Sequence, residues 1–197
     1  MLIGKVVKSN SHTDYVCQVY GPGEVDHPPT REDHAFGTFV RVELGRGHWL
    51  VGIIYDTQLV NPDFGRLGPR LSPQAELAVF SPDYLNEKAT LVGIAAIGTM
   101  RRTGSAFQGV PEVAANADAL VEQMAEDQVR VFHQHNPAIQ LAYAPLLLAQ
   151  GSPLVLHLLR KVVSFLIVLY PEHTQMLSVL RASLDWKAQL VPLGGVP

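Results

Sequence analysis

The feature that most constrains this chain is a period-two alternation of apolar and polar residues, recurring in short runs from Met1 to Met100. In "TFVRVEL", Phe39, Arg41 and Glu43 alternate with Val40, Val42 and Leu44, so the charges share one face and the aliphatics the other. A helix of the same residues would scatter both sets around its axis, so the pattern demands strands. "LIGKVVKS" and "DYVCQVY" read as a strand pair, with Tyr15, Cys17 and Val19 on one face. "HWLVGIIYDT" follows "GRG" and completes a hairpin with "TFVRVEL", and "TLVGIAAIGTM" is a strand apolar enough for burial on both faces. The stretch from Gly21 to Gly37 is rich in glycine and proline and reads as loop. Between Thr57 and Lys88 the pattern weakens, and Ser72-Pro73 and Ser81-Pro82 read as starts of short helices or turns. The fold class expected is α+β: a small six-stranded β-barrel over residues 1–100, then an α-helical domain.

The second half has a different period. Val113, Ala117, Leu120, Val121, Met124, Val131 and Phe132 recur at helical spacing, with Glu122, Glu126 and Asp127 off the stripe, which predicts an amphipathic helix of several turns. Asn136-Pro137, Ser152-Pro153 and Tyr170-Pro171 then place prolines where new helices can begin, and Gly151 marks a helix stop. The expected organisation is a barrel at 1–100, a linker at 101–111 and an α-helical domain at 112–197, ending in the flexible tail "VPLGGVP".

Composition narrows the function classes. With 47% hydrophobic residues the chain can bury one sizeable core or two small ones. A net charge of -3 and a pI near 6.2 argue against nucleic acid as the main partner, because phosphate binding calls for a basic excess. The single cysteine, Cys17, excludes an internal disulfide framework, and no basic segment followed by an apolar one opens the chain. A cytoplasmic protein is expected. The apolar run from Pro153 to Tyr170 carries Arg160 and Lys161 near its middle, each costing about 2.5 to 3.5 kcal/mol at a bilayer centre, so no membrane span is expected.

The barrel strands, in their order, resemble a known family. Gly4 in the opening strand, Gly37 before "TFVRVEL", Gly52 within "LVGIIYDT" and the closing strand to Gly98 are similar to the HAS barrel, over roughly Met1 to Thr99. That barrel stands at the N-terminus of HerA-type DNA-translocating ATPases and of rotary ATP synthase subunits. The resemblance implies a non-catalytic barrel that packs against neighbours in a ring. The chain departs from those ATPases afterwards, since its second half lacks the strand and helix alternation of a RecA-like domain.

A search for chemistry returns little. "GSAFQGVP", Gly104 to Pro111, has the glycine spacing of a P-loop, but Val110 and Pro111 stand where the lysine and the hydroxyl must be. Arg101 and Arg102 beside it are candidate anion contacts. The Asp and His loop, with Asp26-His27 and Asp33-His34, is joined by His48 as a weak candidate set for a divalent metal. His133 and His135 lie two apart on a helix and face different ways. Cys17 sits mid-strand and reads as core, Ser105 lacks a nucleophile elbow, and the adjacent Glu126 and Asp127 read as surface. Trp49, Phe39 and Tyr55, with Arg41, Arg46, Arg66 and Arg70, form the alternative of a nucleic-acid face. No catalytic residue and no cofactor is assigned. The expected role is a non-enzymatic assembly or adaptor protein, a homo-oligomer or the partner of a ring ATPase. Nucleic-acid binding is the alternative and a metal-dependent enzyme a second one.

Overall fold

The computed structural model describes residues 1–61, 89–135 and 138–190. Seven strands form its main sheet: β1 (Leu2–Ser11), β2 (Asp14–Val19), β3 (Phe39–Gly45), β4 (His48–Val60), β5 (Ala89–Arg101), β6 (Ala106–Gln108) and β7 (Leu120–Gln123). The neighbours run β2-β1-β7-β3-β4-β5, and β2 also pairs with β5, so six strands close into an antiparallel barrel. Closure leaves no edge among these six. The short β6 adds to β5 outside the ring.

The alternation read from sequence becomes inside and outside. Val6, Tyr15, Cys17, Val40, Val42, Leu50, Ile54, Val92, Ile94 and Val121 share one buried cluster that fills the barrel. The opposite faces of three strands supply Phe39, Val51, Ile53, Ala95 and Ile97 to a second cluster. There they meet Leu158, Leu159, Val162, Val163 and Leu166 of a helix. Phe39, grouped with the charges by alternation, is 4% exposed because that helix covers it. Gly4 permits the tight β1–β2 crossing, since a Cβ there would collide with the Gln18 carbonyl.

Two expectations need correction. The barrel is not complete at residue 100: its sixth strand is β7, drawn from the segment expected to be a long amphipathic helix. Leu120 and Val121 fit a helical stripe, but Val121 is fully buried inside the barrel and Leu120 is 38% exposed, which is strand alternation. The true helix, α1 (Glu126–His133), spans only 8 residues; Gln128 accepts the Ala125 N–H at its start. The stretch at 101–111 is also no plain linker, because it holds β6. Gly104 and Gly109 flank that strand with φ of +88° and +144°, so the P-loop spacing is met by two backbone positions that favour glycine.

Beyond α1, Gln134–His135 and Ala138–Ile139 form a small two-stranded ladder, β8 and β9. Helices α2 (Ala144–Ala149), α3 (Val155–Leu169) and α4 (Thr174–Leu190) follow, with a 3-10 turn at Pro171–His173 before the last. The described residues therefore hold four α-helices; α3 and α4 begin just after Ser152-Pro153 and Tyr170-Pro171 and α2 ends before Gly151, but the residues after Asn136-Pro137 form β9 and not the expected helix. In α3, Arg160 pairs with Asp185 of α4 while Lys161 is exposed. Among the described residues no helix is long and apolar enough to cross a membrane. Ser72-Pro73, Ser81-Pro82, Asn136-Pro137 and the tail at 191–197 lie outside the described residues.

Candidate functional site

The barrel mouth holds His48, Arg101 and part of the "GSAFQGVP" stretch. The β3–β4 turn and the β5–β6 hairpin bound a cleft of about 380 Å³. Leu44, Thr99, Phe107 and Val113 line it, with His48, Arg101, Ser105 and Glu112 as its polar groups. The segment after β6 crosses the barrel end and is tied down from below. His12 Nε2 donates to the Pro111 carbonyl at 2.6 Å, Tyr15 Oη accepts the Ala115 N–H at 3.2 Å, and Tyr15 Oη donates to the His12 carbonyl at 2.9 Å. This bracing leaves three apolar side chains facing water: Phe107, Val110 and Val113 are 55%, 52% and 62% exposed.

The cleft has polar side chains but no assembled catalytic relay. Ser105 Oγ lies 3.4 Å from Thr103 Oγ1, and among the described residues no hydrogen bond joins Ser105 to His48 or His48 to Glu112. Cys17 is fully buried in the barrel, and burial pushes its thiol up to about 12, the opposite of an activated thiolate.

The metal candidates are not brought together. His48 is at the barrel mouth beside Arg101, whereas His27 lines a different depression with Met1, Leu2 and Glu24. Among the described residues no group of three or more His, Cys, Asp or Glu side chains converges. Asp33 instead accepts from the Thr30 N–H at 2.8 Å and the Thr30 hydroxyl at 2.7 Å, which holds its carboxyl below the ordinary range and closes a local turn. The second DH pair is thus part of a turn.

The arginine and aromatic set separates into engaged and free members. Arg41 Nε donates to Glu122 at 2.6 Å across β3 and β7, and its guanidinium lies 4.8 Å from the Trp49 ring centre. It is a staple for barrel closure. Phe39 is core, and Tyr55 Oη donates to Asp14 Oδ1 at 2.7 Å, with burial and that carboxylate raising its pKa. Arg46 occupies the β3–β4 turn with φ of +52°. Arg101 and Arg102 sit on the β5–β6 hairpin without an ion-pair partner among the described residues. They line a second groove of about 450 Å³ with Arg41, Trp49 and Asp127. Arg66 and Arg70 lie outside the described residues.

The polar feature that sequence reading undervalued is His133. It is fully buried, and Phe39, Phe132 and Tyr143 surround it edge-on. Its Nδ1 lies 2.8 Å from the Val129 carbonyl, which can only accept, so Nδ1 carries the proton. Nε2 then accepts the Tyr143 hydroxyl at 2.8 Å. Burial holds the imidazole at about 4, so it is neutral, and raises the Tyr143 phenol. Nearby, Gln108 Nε2 donates to the Phe132 and Gln140 carbonyls and its Oε1 accepts the Ala142 N–H, binding β6 to the end of α1. His133 and Gln108 are joints between barrel and helices, and His133 is closed to solvent. Phe132 is the one aromatic neighbour of His133 in the sequence.

A family model described as a domain of unknown function, DUF8166, matches residues 1–193, and the chain belongs to that family. No curated protein matches the sequence.

Proposed function

We propose that this DUF8166 chain is a non-enzymatic assembly protein whose HAS-like barrel makes subunit contacts, as an adaptor for a ring ATPase or within its own oligomer. The observation that carries the reading is the barrel mouth, where Phe107 and Val113 stand exposed along the cleft and Val110, between them in sequence, is exposed as well. Exposed apolar groups held on a rigid support favour contact with another protein. The neighbouring Arg101 and Arg102, without carboxylate partners among the described residues, favour an acidic surface on that protein.

The test is affinity capture from the native cell with wild-type protein and a Phe107→Asp/Val113→Asp variant. A ring ATPase retained in stoichiometric amount by the first and lost by the second supports the adaptor role. An ATPase held equally by both overturns the barrel-mouth assignment.

One observation favours nucleic acid as a second reading: the groove that joins Trp49 with Arg41, Arg101 and Arg102. Arg41 is already committed to Glu122, and Asp127 lines the same groove, which weakens it for phosphate. Salt-sensitive DNA or RNA binding abolished by Arg101→Glu/Arg102→Glu would promote this reading over the first.

A further inference from the structure

Helix α4 is amphipathic twice over. Leu177 and Leu184 are its buried residues and face the protein, and Asp185 at the edge of that face pairs with Arg160. At 100° per residue, Met176, Val179, Leu180, Ser183 and Trp186 form a second stripe on the far side, with the exposed Lys187 as the one charge in the same sector. There Met176 is 49%, Val179 68%, Leu180 38% and Trp186 64% exposed. A tryptophan that open to water, inside an apolar stripe, is an uncommon arrangement for a surface without a partner.

We infer that this stripe pairs with the same stripe of a second copy, α4 against α4 in antiparallel orientation about a two-fold axis. The pattern itself favours a copy over another partner. In an antiparallel pair centred at the level of residue 181, Met176 faces Trp186 of the second copy and Val179 faces its Ser183. The flexible thioether of Met176 then lies against the indole, and the small serine leaves room for the valine. The same operation sets Lys187 opposite Gln175 of the second copy, so no like charges meet across the seam. Arg181 and Asp185 point away from the stripe, and the contact is isologous, as a closed dimer requires.

The size is sufficient and small. The five side chains expose on the order of 500 Å² per protomer, so pairing removes roughly 1,000 Å², near the lower limit for a specific interface. A reversible, concentration-dependent dimer follows. This deepens the assembly reading by naming a partner, yet uses a surface separate from the barrel mouth. A strict monomer that still captures an ATPase would overturn the helix pairing and leave the adaptor role standing.

Sedimentation velocity over about 5 to about 500 µM tests it, the range in which an interface of this size is expected to saturate. The wild-type chain should pass from monomer to dimer. Val179→Glu and Trp186→Glu should each remain monomeric with an unchanged far-ultraviolet circular dichroism spectrum, because both positions are exposed. Val168→Glu, on α3 and 80% exposed, should dimerise like the wild type. A wild-type monomer throughout overturns the inference, as does a dimer that survives both stripe substitutions or is lost equally in the Val168 variant. The wild-type series needs no variant to fold.

Discussion

Acid should loosen this protein through one imidazole. His133 is fully buried with both ring nitrogens engaged, and burial holds it at about 4. An unfolded histidine titrates near 6.5, so between these values the unfolded chain binds a proton that the folded chain refuses. A depressed folded pKa means that the stabilisation is fully present above about 6.5 and is lost as pH falls toward 4. The full difference is about 3.4 kcal/mol, of which about 2 kcal/mol should already be gone between about pH 7.5 and about pH 5. Out of a typical stability of about 5 to 15 kcal/mol, that is a large share. Urea unfolding at a series of pH values, on wild type and His133→Gln, reads it directly. The variant keeps a polar side chain but cannot titrate, so the wild type should lose about 2 kcal/mol more over the same interval. Subtracting one curve from the other cancels the carboxylates and the other seven of the eight histidines. Parallel curves, agreeing within about 0.5 kcal/mol, would refute the reasoning. Should the variant not fold, imidazole NMR on the wild type gives the same answer: one ring must stay neutral through about pH 5.

Three further outcomes are expected. Tyr143→Phe removes the hydroxyl that donates to His133 Nε2 and should cost about 1 to 3 kcal/mol in urea unfolding; a neutral effect would show that the buried hydrogen bond is not formed. Gly4→Ala and Gly98→Ala place a Cβ against the carbonyls of Gln18 and Phe107, whereas a Cβ added at Gly45, at φ of +85°, would meet nothing within 4 Å. The first two should therefore cost roughly 2 kcal/mol or more through steric overlap and Gly45→Ala only its backbone strain, with the order of thermal midpoints as the check. Cys17 should resist alkylation by iodoacetamide at neutral pH until denaturant is added, since it is buried and held protonated; rapid labelling of the native chain would contradict its placement.

How much was legible beforehand depended on whether a residue's neighbours were close in sequence. Alternation in "TFVRVEL" and "DYVCQVY" divided the residues between the two faces that the barrel later shows, because period two in one strand needs no knowledge of its partner. The helix starts at Ser152-Pro153 and Tyr170-Pro171 were equally local, since proline limits φ wherever it stands. Leu120 to Gln123 failed for the opposite reason. Four residues are too few for a period to declare itself, and β1 and β3, which make them a strand, lie about 80 to 120 positions upstream.

The candidate site divides the same way. The missing lysine and hydroxyl in "GSAFQGVP" were plain from composition, but not that its glycines bracket β6, because positive φ is visible only once the chain has turned. His27, His34 and His48 shared a residue type and no location, and only the closed barrel shows His48 at the mouth beside Arg101. His133 read only as one of two helix histidines facing different ways, and Phe39 and Tyr143 surround it from β3 and from beside α2. By itself, then, the sequence determined the strand-rich first half, the helical second half and the lack of the P-loop lysine and hydroxyl in "GSAFQGVP", all of which rest on near neighbours and on residue identity. The tertiary structure alone decided which segment closes the barrel, which histidine is buried and which apolar side chains remain exposed. Those depend on contacts across long loops, where burial is a property of the assembled surfaces and not of the residue that occupies them.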